Sequence, residues 1–375
     1  MRKQMRVPAV AVVCAVVITS ACGGGSSTSS STSSPGAASP ASSPAPPSPA
    51  PPGPRLYVSD ETGGNVVVVD PVGGQVLEKI AVGKRPRGIR LSRDGKELLI
   101  ALSGSPIAGP GVDESKLPPA DRTADGIGVV DLATHKLVRK YQSGQDPEVF
   151  DISPDGSTIY VSNEDSAQAT VVDTANGNIV ERITVGDEPE GVTVSPDGTL
   201  VFVTSEGSSD VAAIDTKSRK VLARIKTGPR PRSVTFSKDG KTAFVTNENA
   251  AMVGVIDVAK RKVVSTITIP KTAGTPTAPR PMGGALSPDG HQVFISLGRA
   301  SSVAVIDVAA RKFVRTIEGV GARPWGLTFN ADGSKLFTAN GPSGDVSIVD
   351  VASGKVEKKV ATGGSPWGVV FVEKQ

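Results

Sequence analysis

The sequence predicts an all-β fold, a propeller of seven four-stranded antiparallel blades, and two observations lead to it. First, a unit of about 42 residues recurs along the chain, and its clearest copy is residues 189–228, PEGVTVSPDGTLVFVTSEGSSDVAAIDTKSRKVLARIKTG. Second, each unit holds four short runs that are rich in β-branched residues and bounded by turn-forming residues. One four-stranded sheet cannot cover its own apolar faces, so the units must stack around an axis and close.

Two residue markers count the blades. An Asp closes the third strand of each unit, and a Pro stands just before the first strand. The Asp residues are Asp70, Asp131, Asp173, Asp215, Asp257, Asp307 and Asp350. The Pro residues are Pro86, Pro147, Pro189, Pro231, Pro281, Pro324 and Pro366. Both markers occur seven times, which predicts seven blades. A carboxylate that follows a strand can accept turn N–H groups, so we interpret the Asp residues as structural.

The two ends of the repeat region predict how the ring closes. Residues 55–61, RLYVSDE, match the second strand of a unit, and residues 366–372, PWGVVFV, match a first strand. One blade should therefore combine a C-terminal strand with three N-terminal strands. This arrangement hides two sheet edges that would otherwise invite aggregation.

The residues before the propeller have the features of an exported lipoprotein. Residues 1–21 join a basic start to an apolar, small-residue segment, which is typical of a signal peptide. Ser-Ala-Cys followed by glycines resembles a bacterial lipobox and predicts lipidation at Cys22, although Thr19 replaces the usual Leu. Ordinary secretion with an incidental Cys is the alternative. Residues 22–54 are Ser-, Pro- and Ala-rich and predict a disordered tether. We expect residues 55–375 to form a monomeric propeller in the cell envelope, facing periplasm or exterior, with membrane contact through the lipid alone.

Two insertions interrupt the repeat period. Residues 103–126 fall between the second and third strands of the first complete blade, and residues 270–280 precede the first strand of the fifth. Alternate connections of a meander lie on the same face, so both insertions should project from the face that carries the Pro markers. Long loops on a rigid scaffold often carry function, with tolerated surface variation as the alternative.

The residue after each marker Pro should lie at the mouth of the central channel. In chain order these residues are Arg87, Glu148, Glu190, Arg232, Met282, Trp325 and Trp367. They predict an acidic sector, flanking basic residues and an aromatic sector formed by the only two Trp residues of the chain. Aromatic surface beside charged groups suits a ring-shaped small ligand or a peptide anchor. Packing of both Trp side chains inside the funnel is the alternative.

Metals and cofactors are not predicted. A second ring of carboxylates, Asp60, Glu61, Glu164, Asp165, Glu206 and Glu248, could offer oxygen ligands to Ca²⁺ or Mg²⁺, but turns also favour these residues. His135 and His291 are the only histidines and fall in predicted turns of the opposite face. The chain has no C-x-x-C-H haem motif and no nucleophile elbow. Cys22 is the one Cys beyond the signal peptide, so no disulfide can form within the mature chain.

The sequence of the repeat resembles that of a known family. Runs such as LYVSDE, IYVSNED, AFVTNEN and VIDVA look like the YVTN-type β-propeller repeat of bacterial and archaeal envelope proteins, over residues 55–372. KRPRGIRLS, LPPADRTADGIGVVDL and RPWGL with TANGP resemble YVTN lipoproteins that accompany quinoprotein alcohol oxidation. The resemblance implies the propeller fold and an accessory role in that oxidation.

Three functions remain open from the sequence. The leading hypothesis is a non-enzymatic binding scaffold that presents the insertion face to a protein partner or a small ligand. The first alternative is a lactonase-like hydrolase or lyase at the channel mouth. Such an enzyme needs an acid or base beside a metal or an Arg, and Glu148, Glu190 and Arg232 are the candidates. The second is a structural or adhesive surface protein. The net charge of +4 does not indicate nucleic-acid binding.

Overall fold

The computed structural model describes residues 53–107, 116–271 and 277–374. Cys22, the signal segment, the tether up to residue 52 and parts of both insertions lie outside these residues. The described chain forms 28 strands in seven four-stranded antiparallel sheets, which confirms the predicted seven-bladed propeller. No helix among the described residues has the length and hydrophobicity needed to cross a membrane.

The strands follow the blades in chain order, starting within the blade that closes the ring. The first three strands are β1 (Arg55–Asp60), β2 (Asn65–Asp70) and β3 (Gln75–Ala81). Blade 1 contains β4 (Ile89–Leu91), β5 (Glu97–Leu102), β6 (Gly126–Asp131) and β7 (Lys136–Tyr141). Blade 2 contains β8 (Pro147–Ile152), β9 (Thr158–Asn163), β10 (Gln168–Asp173) and β11 (Ile179–Thr184). Blade 3 contains β12 (Pro189–Val194), β13 (Leu200–Ser205), β14 (Asp210–Asp215) and β15 (Lys220–Lys226).

The second half of the ring repeats the same arrangement. Blade 4 contains β16 (Pro231–Phe236), β17 (Thr242–Asn247), β18 (Met252–Asp257) and β19 (Lys262–Thr268). Blade 5 contains β20 (Gly284–Leu286), β21 (Gln292–Ser296), β22 (Ser302–Asp307) and β23 (Lys312–Glu318). Blade 6 contains β24 (Pro324–Phe329), β25 (Lys335–Asn340), β26 (Asp345–Asp350) and β27 (Lys355–Ala361), and β28 (Pro366–Val372) completes blade 7. Three short 3₁₀ turns, Glu164–Ser166, Glu248–Ala250 and Gly298–Ala300, follow the second strands of blades 2, 4 and 5.

The hydrophobic core lies between neighbouring blades. The middle strands are apolar on both sides, as in the run Val66–Val69 of β2, because each sheet is covered by a blade on either face. Tyr57, Val68 and Ile100, for example, pack in one cluster between blades 7 and 1. The outermost strands are largely exposed, with only an occasional buried residue such as Ile80 in β3. Burial of a residue therefore depends on whether its strand is in the middle or at the outer edge of the blade.

The strand-end Asp residues hold the turns, as the sequence predicts. All seven carboxylates accept a backbone N–H from the turn that follows, as Asp70 does from Val72 and Gly73 at 2.9 and 3.0 Å. The equivalent bonds are made by Asp131, Asp173, Asp215, Asp257, Asp307 and Asp350. These residues thus stabilise the face opposite the channel mouth.

Ring closure also follows the prediction. In blade 7 the order is β28, β1, β2, β3, and Leu56 pairs with Phe371 while Val58 pairs with Val369. Val369 and Val372 of β28 are buried. The first and last strands of the propeller are therefore antiparallel neighbours.

Deleting residues 366–375 should abolish cooperative folding. The deletion exposes the edge of β1 and removes buried Val369 and Val372, each contributing about 1.5–3 kcal/mol. We expect an aggregating protein without a sharp thermal transition by circular dichroism and size-exclusion chromatography. Deleting only residues 373–375 keeps β28 and is the control. A monomeric, cooperatively melting 366–375 deletion would show that six full blades suffice.

Candidate functional site

A cavity of about 660 Å³ opens at the channel mouth. Six of the seven residues predicted there line it, namely Arg87, Glu148, Glu190, Arg232, Trp325 and Trp367. Met282 does not reach it; this side chain is 2% exposed and lines the channel below. The channel cavity measures about 440 Å³ and shares Glu190, Arg232 and both Trp residues with the mouth. These shared side chains lie where the two spaces meet.

Hydroxyl groups of the second strands fix the backbone of the mouth. The Thr246 Oγ1 donates to the Met282 carbonyl at 2.7 Å, and the Ser296 Oγ donates to the Trp325 carbonyl at 2.9 Å. Ser59, Ser162 and Thr204 make the matching bonds to the carbonyls of Arg87, Glu190 and Arg232. Each bond joins one blade to the next. In the sequence, each of these hydroxyl residues ends one of the runs YVS, YVS, FVT, FVT and FIS, a feature that strand propensity alone does not single out.

Glycines allow the innermost strands to approach each other at this level. A Cβ on Gly191 would lie 2.3 Å from the Arg232 carbonyl oxygen, and one on Gly283 would lie 2.3 Å from the Trp325 carbonyl oxygen. Both neighbours are backbone atoms, which cannot swing away. The Pro-x-Gly sequence at the start of these strands therefore narrows the neck of the channel.

Arg87 organises the first of two buried ionic clusters. Its guanidinium pairs with Asp146 and Glu148 and donates to the Pro147 carbonyl at 2.9 Å, and Arg87 is only 1% exposed. Burial favours a higher pKa for Asp146, but Arg87, the Ser103 hydroxyl and Arg85 outweigh it, so this pKa lies below its ordinary value. The Asp146 carboxylate is therefore ionised and held in place.

Arg232 organises the second cluster. Its guanidinium lies 3.1 Å from the Glu190 carboxylate and 3.8 Å from that of Glu248, and it also pairs with Glu206. Burial favours a higher pKa for Glu248, but Arg232 and Arg230 bring it below the ordinary value. For Glu190 burial dominates: its pKa is raised, with Arg232 opposing and the Glu164 charge adding to the rise. Arg232 thus pairs with one carboxyl whose pKa is raised, Glu190, and with one whose pKa is lowered, Glu248.

Glu164 is the functional candidate that sequence reasoning assigned to a turn. It begins a 3₁₀ turn after β9 and lines the same cavity as Glu190. Burial and the nearby Asp146 raise its pKa. In the described part of the chain, its carboxyl makes no hydrogen bond or ion pair. Two carboxyls with raised pKa values therefore line one cavity, and one of them is free to act on a ligand.

A cation could approach one group of carboxylates. Oxygens of Asp146, Glu148 and Glu164 lie within 4.8 Å of one another. However, Asp146 and Glu148 already pair with Arg87, which neutralises much of their charge. That the protein binds no metal remains a prediction.

The aromatic sector is a stacked pair. The rings of Trp325 and Trp367 have centroids 5.6 Å apart and an interplanar angle of 19°. The Cζ atoms of Arg232 and Arg323 lie 4.9 and 4.8 Å from the Trp325 ring centroid. Cation–π contacts of this kind hold the guanidinium groups against the ring.

Arg323 differs from the other mouth arginines. Among the described residues, its guanidinium has no ion pair or hydrogen bond. Burial lowers its pKa, and the charge of Arg232 lowers it further. The Arg323 guanidinium is therefore a cation without a paired carboxylate among the described residues. Negative charge on a bound ligand would offset the repulsion from Arg232.

The first insertion reaches the mouth. Ser105 and Arg122 both donate to the Asp165 carboxylate, at 3.1 and 2.6 Å, and Arg122 also pairs with Asp125. These contacts join the insertion to blade 2. From the second insertion, Arg280 pairs with Glu248 at 3.2 Å. The first insertion therefore has described residues that line the mouth, and the second contacts the Arg232 cluster through Glu248, while 108–115 and 272–276 lie outside the described residues.

The fold defines the chain's class as a seven-bladed β-propeller, and comparison with known proteins refines this. A family described as "Lactonase, 7-bladed beta-propeller" matches residues 192–371. A family described as "YNCE-like beta-propeller" matches residues 112–197. No curated protein matches the chain. Both matches support a β-propeller, and neither shows an association with quinoprotein alcohol oxidation or a lipid anchor.

Solved structures share the fold at low sequence identity. A periplasmic gluconolactonase of Pseudomonas aeruginosa is 21% identical, with a TM-score of 0.69, and the match covers 87% of this chain and all of that one (100%). A putative 6-phosphogluconolactonase of Bacteroides fragilis is 19% identical, with a TM-score of 0.67 and coverages of 88% and 100%. A chain of Kuenenia stuttgartiensis hydrazine synthase is 20% identical, with a TM-score of 0.63 and coverages of 77% and 95%.

The prediction of a non-enzymatic scaffold, accessory to quinoprotein alcohol oxidation, is wrong. The lactonase family match over residues 192–371 favours the alternative of a lactonase-like hydrolase, while the solved structures share the fold. The lack of a His pair and of a nucleophile elbow favoured a non-enzymatic scaffold, but it does not exclude catalysis. Opening a lactone needs only an acid or base beside a cation, and arginines with carboxyls can supply both.

Proposed function

We propose that the chain is a lactonase-like hydrolase that opens a lactone ring to a hydroxy acid in the mouth cavity. The observation that carries this proposal is the pair of carboxyls with raised pKa values, Glu190 and Glu164, lining a cavity that also holds the unpaired Arg323. Groups with shifted pKa values beside a cation are what acid–base chemistry at neutral pH requires. The lactonase family match supports the same reaction class.

The residues divide the reaction between them. Glu190, oriented by Arg232 at 3.1 Å, is the general base that removes a proton from water as its oxygen attacks the lactone carbonyl carbon. Arg323 stabilises the negative charge that develops on the carbonyl oxygen. Glu164, in its protonated form, gives a proton to the ring oxygen as the acyl C–O bond breaks. One water is consumed, and the product carries a hydroxyl and a carboxylic acid.

Glu148 has a different role from the one considered in the sequence alternative. It pairs with the fully buried Arg87, which keeps it from acting as a mobile acid or base. Arg87 and its two carboxylates instead hold the acidic side of the cavity rigid. In this proposal the acid is Glu164, which was not among the candidates of the sequence alternative.

The direct test is lactone opening by the purified full chain. A pH-stat records the acid released from glucono-δ-lactone, δ-valerolactone and γ-decalactone, with spontaneous hydrolysis subtracted. We expect acceleration of at least one lactone, and the same rate in EDTA because the proposed groups include no metal. A folded protein that accelerates none of the three contradicts the proposal.

We also propose, from the sequence alone, that the hydrolase works in the cell envelope as a monomer held by a lipid on Cys22 and by the tether 22–54. Metabolic labelling with an alkyne fatty acid tests the anchor. The label should appear on the wild-type chain and be absent from Cys22→Ser. Labelling of both chains, or of neither, contradicts the anchor.

A further inference from the structure

The walls of the mouth cavity differ from its floor. The floor is formed by paired arginines and carboxylates, whereas Ile107, Leu117, Pro118, Pro119 and Ala120 of the first insertion line the rim. Ile107 is 46% exposed although its side chain is aliphatic. Since exposed aliphatic groups on a cavity wall gain free energy when a ligand covers them, this rim favours an apolar contact.

The segment Leu117–Ala120 of the insertion offers almost nothing to a hydroxyl-rich ligand, and the polar Ser105 and Arg122 of the same insertion already donate to Asp165. None of the side chains from Leu117 to Ala120 can donate or accept a hydrogen bond, and proline residues lack the backbone N–H. The stacked rings of Trp325 and Trp367 add a second apolar surface. A sugar placed between these surfaces would lose hydrogen bonds to water without replacing them, which is unfavourable.

The size of the cavity points the same way. At about 660 Å³ it belongs with pockets that enclose drug-sized ligands. A small lactone ring at the floor, near Glu190 and Arg323, leaves most of this volume to whatever the ring carries.

We propose that the substrate is a lactone with a hydrophobic substituent, alkyl or aryl, which lies between the insertion wall (Ile107, Leu117, Pro118, Pro119) and the Trp325–Trp367 pair. This inference rests on the proposed function for the lactone ring, while the apolar contact rests on the walls alone. The ring meets the ionic floor, and the substituent replaces water along both walls.

The chain contains only two Trp residues, and both line the cavity, so intrinsic fluorescence reports on ligand binding there. Lactams are suitable probes because the amide is not opened under the assay conditions. Pyrrolidin-2-one and its 5-alkyl derivatives with two, four and six carbons would be titrated into the full chain. We expect the Kd to fall by about fourfold per buried methylene until the alkyl chain outgrows the walls.

Variants of the insertion wall provide the control. Ile107→Ser combined with Leu117→Ser should flatten the dependence of Kd on chain length while leaving the affinity for pyrrolidin-2-one unchanged. Val72→Ser alters a valine that is 74% exposed in the β2–β3 turn on the opposite face, and should keep the full dependence.

The outcomes separate this inference from the proposed function. A gluconolactam that binds as tightly as the hexyl lactam overturns the hydrophobic substituent, and so does a Kd independent of chain length or no binding of any probe. If the dependence on chain length appears but no lactone is opened, the walls bind as inferred and the proposed hydrolysis fails. If lactones open without that dependence, hydrolysis stands and the inference fails.

Discussion

Replacing Glu190 by Gln should lower kcat/KM for lactone opening by about 10²–10⁴-fold, the usual contribution of a positioned general base. Gln keeps the size of the side chain and can still contact Arg232, so the fold should persist. Stopped-flow or pH-stat assays measure the rate, and a thermal melt verifies folding. Glu190→Gln with wild-type activity would remove this residue from the reaction.

The pH profile gives a second readout for the same variant. Glu190 must be ionised and Glu164 protonated, and the pKa of each lies above the ordinary value for Glu. Activity should fall as pH drops through the raised pKa of the base and fall again as pH rises through that of the acid. Because the two carboxyls interact, the limbs belong to the pair. The acidic limb should vanish in Glu190→Gln.

Glu61→Gln is the matched control for both measurements. Glu61 also lines the mouth cavity, but it is committed to Arg85 at 3.1 Å. Its replacement should change kcat/KM by less than about tenfold, the size expected for a general change of cavity charge rather than for a lost base. Equal losses of kcat/KM in Glu190→Gln and Glu61→Gln would mean that the total charge of the cavity, and not a general base, causes the effect.

Replacing Arg232 by Met should destabilise the fold by about 3–5 kcal/mol, because it leaves the buried Glu190 without a cation and removes one of the cations that pair with Glu206 and Glu248. Glu190, Glu206 and Glu248 all pair with this guanidinium, and each is less than 10% exposed. Urea unfolding at neutral pH measures the change. A loss of stability under about 1 kcal/mol would show that these carboxyls do not depend on Arg232.

The loss caused by Arg232→Met should depend on pH in a defined direction. In the wild type the lowered pKa of Glu248 makes its pairing stabilising above the unfolded-state pKa, and this contribution is lost as pH falls through the lowered value. In the variant Glu248 loses the largest of the charges that lower its pKa, so less of this stabilising contribution remains at neutral pH. The difference between the two proteins should therefore be largest at neutral pH and shrink on acidification.

Arg323→Met is the contrasting replacement. Arg323 contacts the same Trp325 ring, but it has no ion pair among the described residues. Removing a desolvated cation that other arginines repel should leave stability unchanged or raise it slightly, while lactone opening falls because the oxyanion loses its partner. A large loss of stability in Arg323→Met would contradict this and show that Arg323 stabilises the fold.

The repeat explains why the fold was predictable and the chemistry was not. Strand runs and turn residues are local features that recur seven times, so each copy supports the others, and residues 55–61 and 366–372 could be assigned to strands of the same repeat. The ring of residues after the Pro markers could be placed for the same reason. Only Met282 fell below the cavity.

The reactive groups come from departures between the copies. Glu164 occupies a turn position that the repeat uses structurally, and its free carboxyl results from Arg87 being taken by Asp146 and Glu148. Arg323 is uncompensated because the neighbouring carboxylates pair with Arg230 and Arg232 instead. Such competition among charges depends on distances between different blades, which no single repeat encodes.

The shared blade has a kinetic consequence. Gly368 and Ser59, which hydrogen-bond across blade 7, are 309 positions apart in the chain. Contacts of such high contact order form late and slowly, because a long loop must close before they contribute. The same pairing must also break before the edge of β1 is freed, so we expect the rate of unfolding, and not equilibrium stability alone, to set the lifetime of the folded protein.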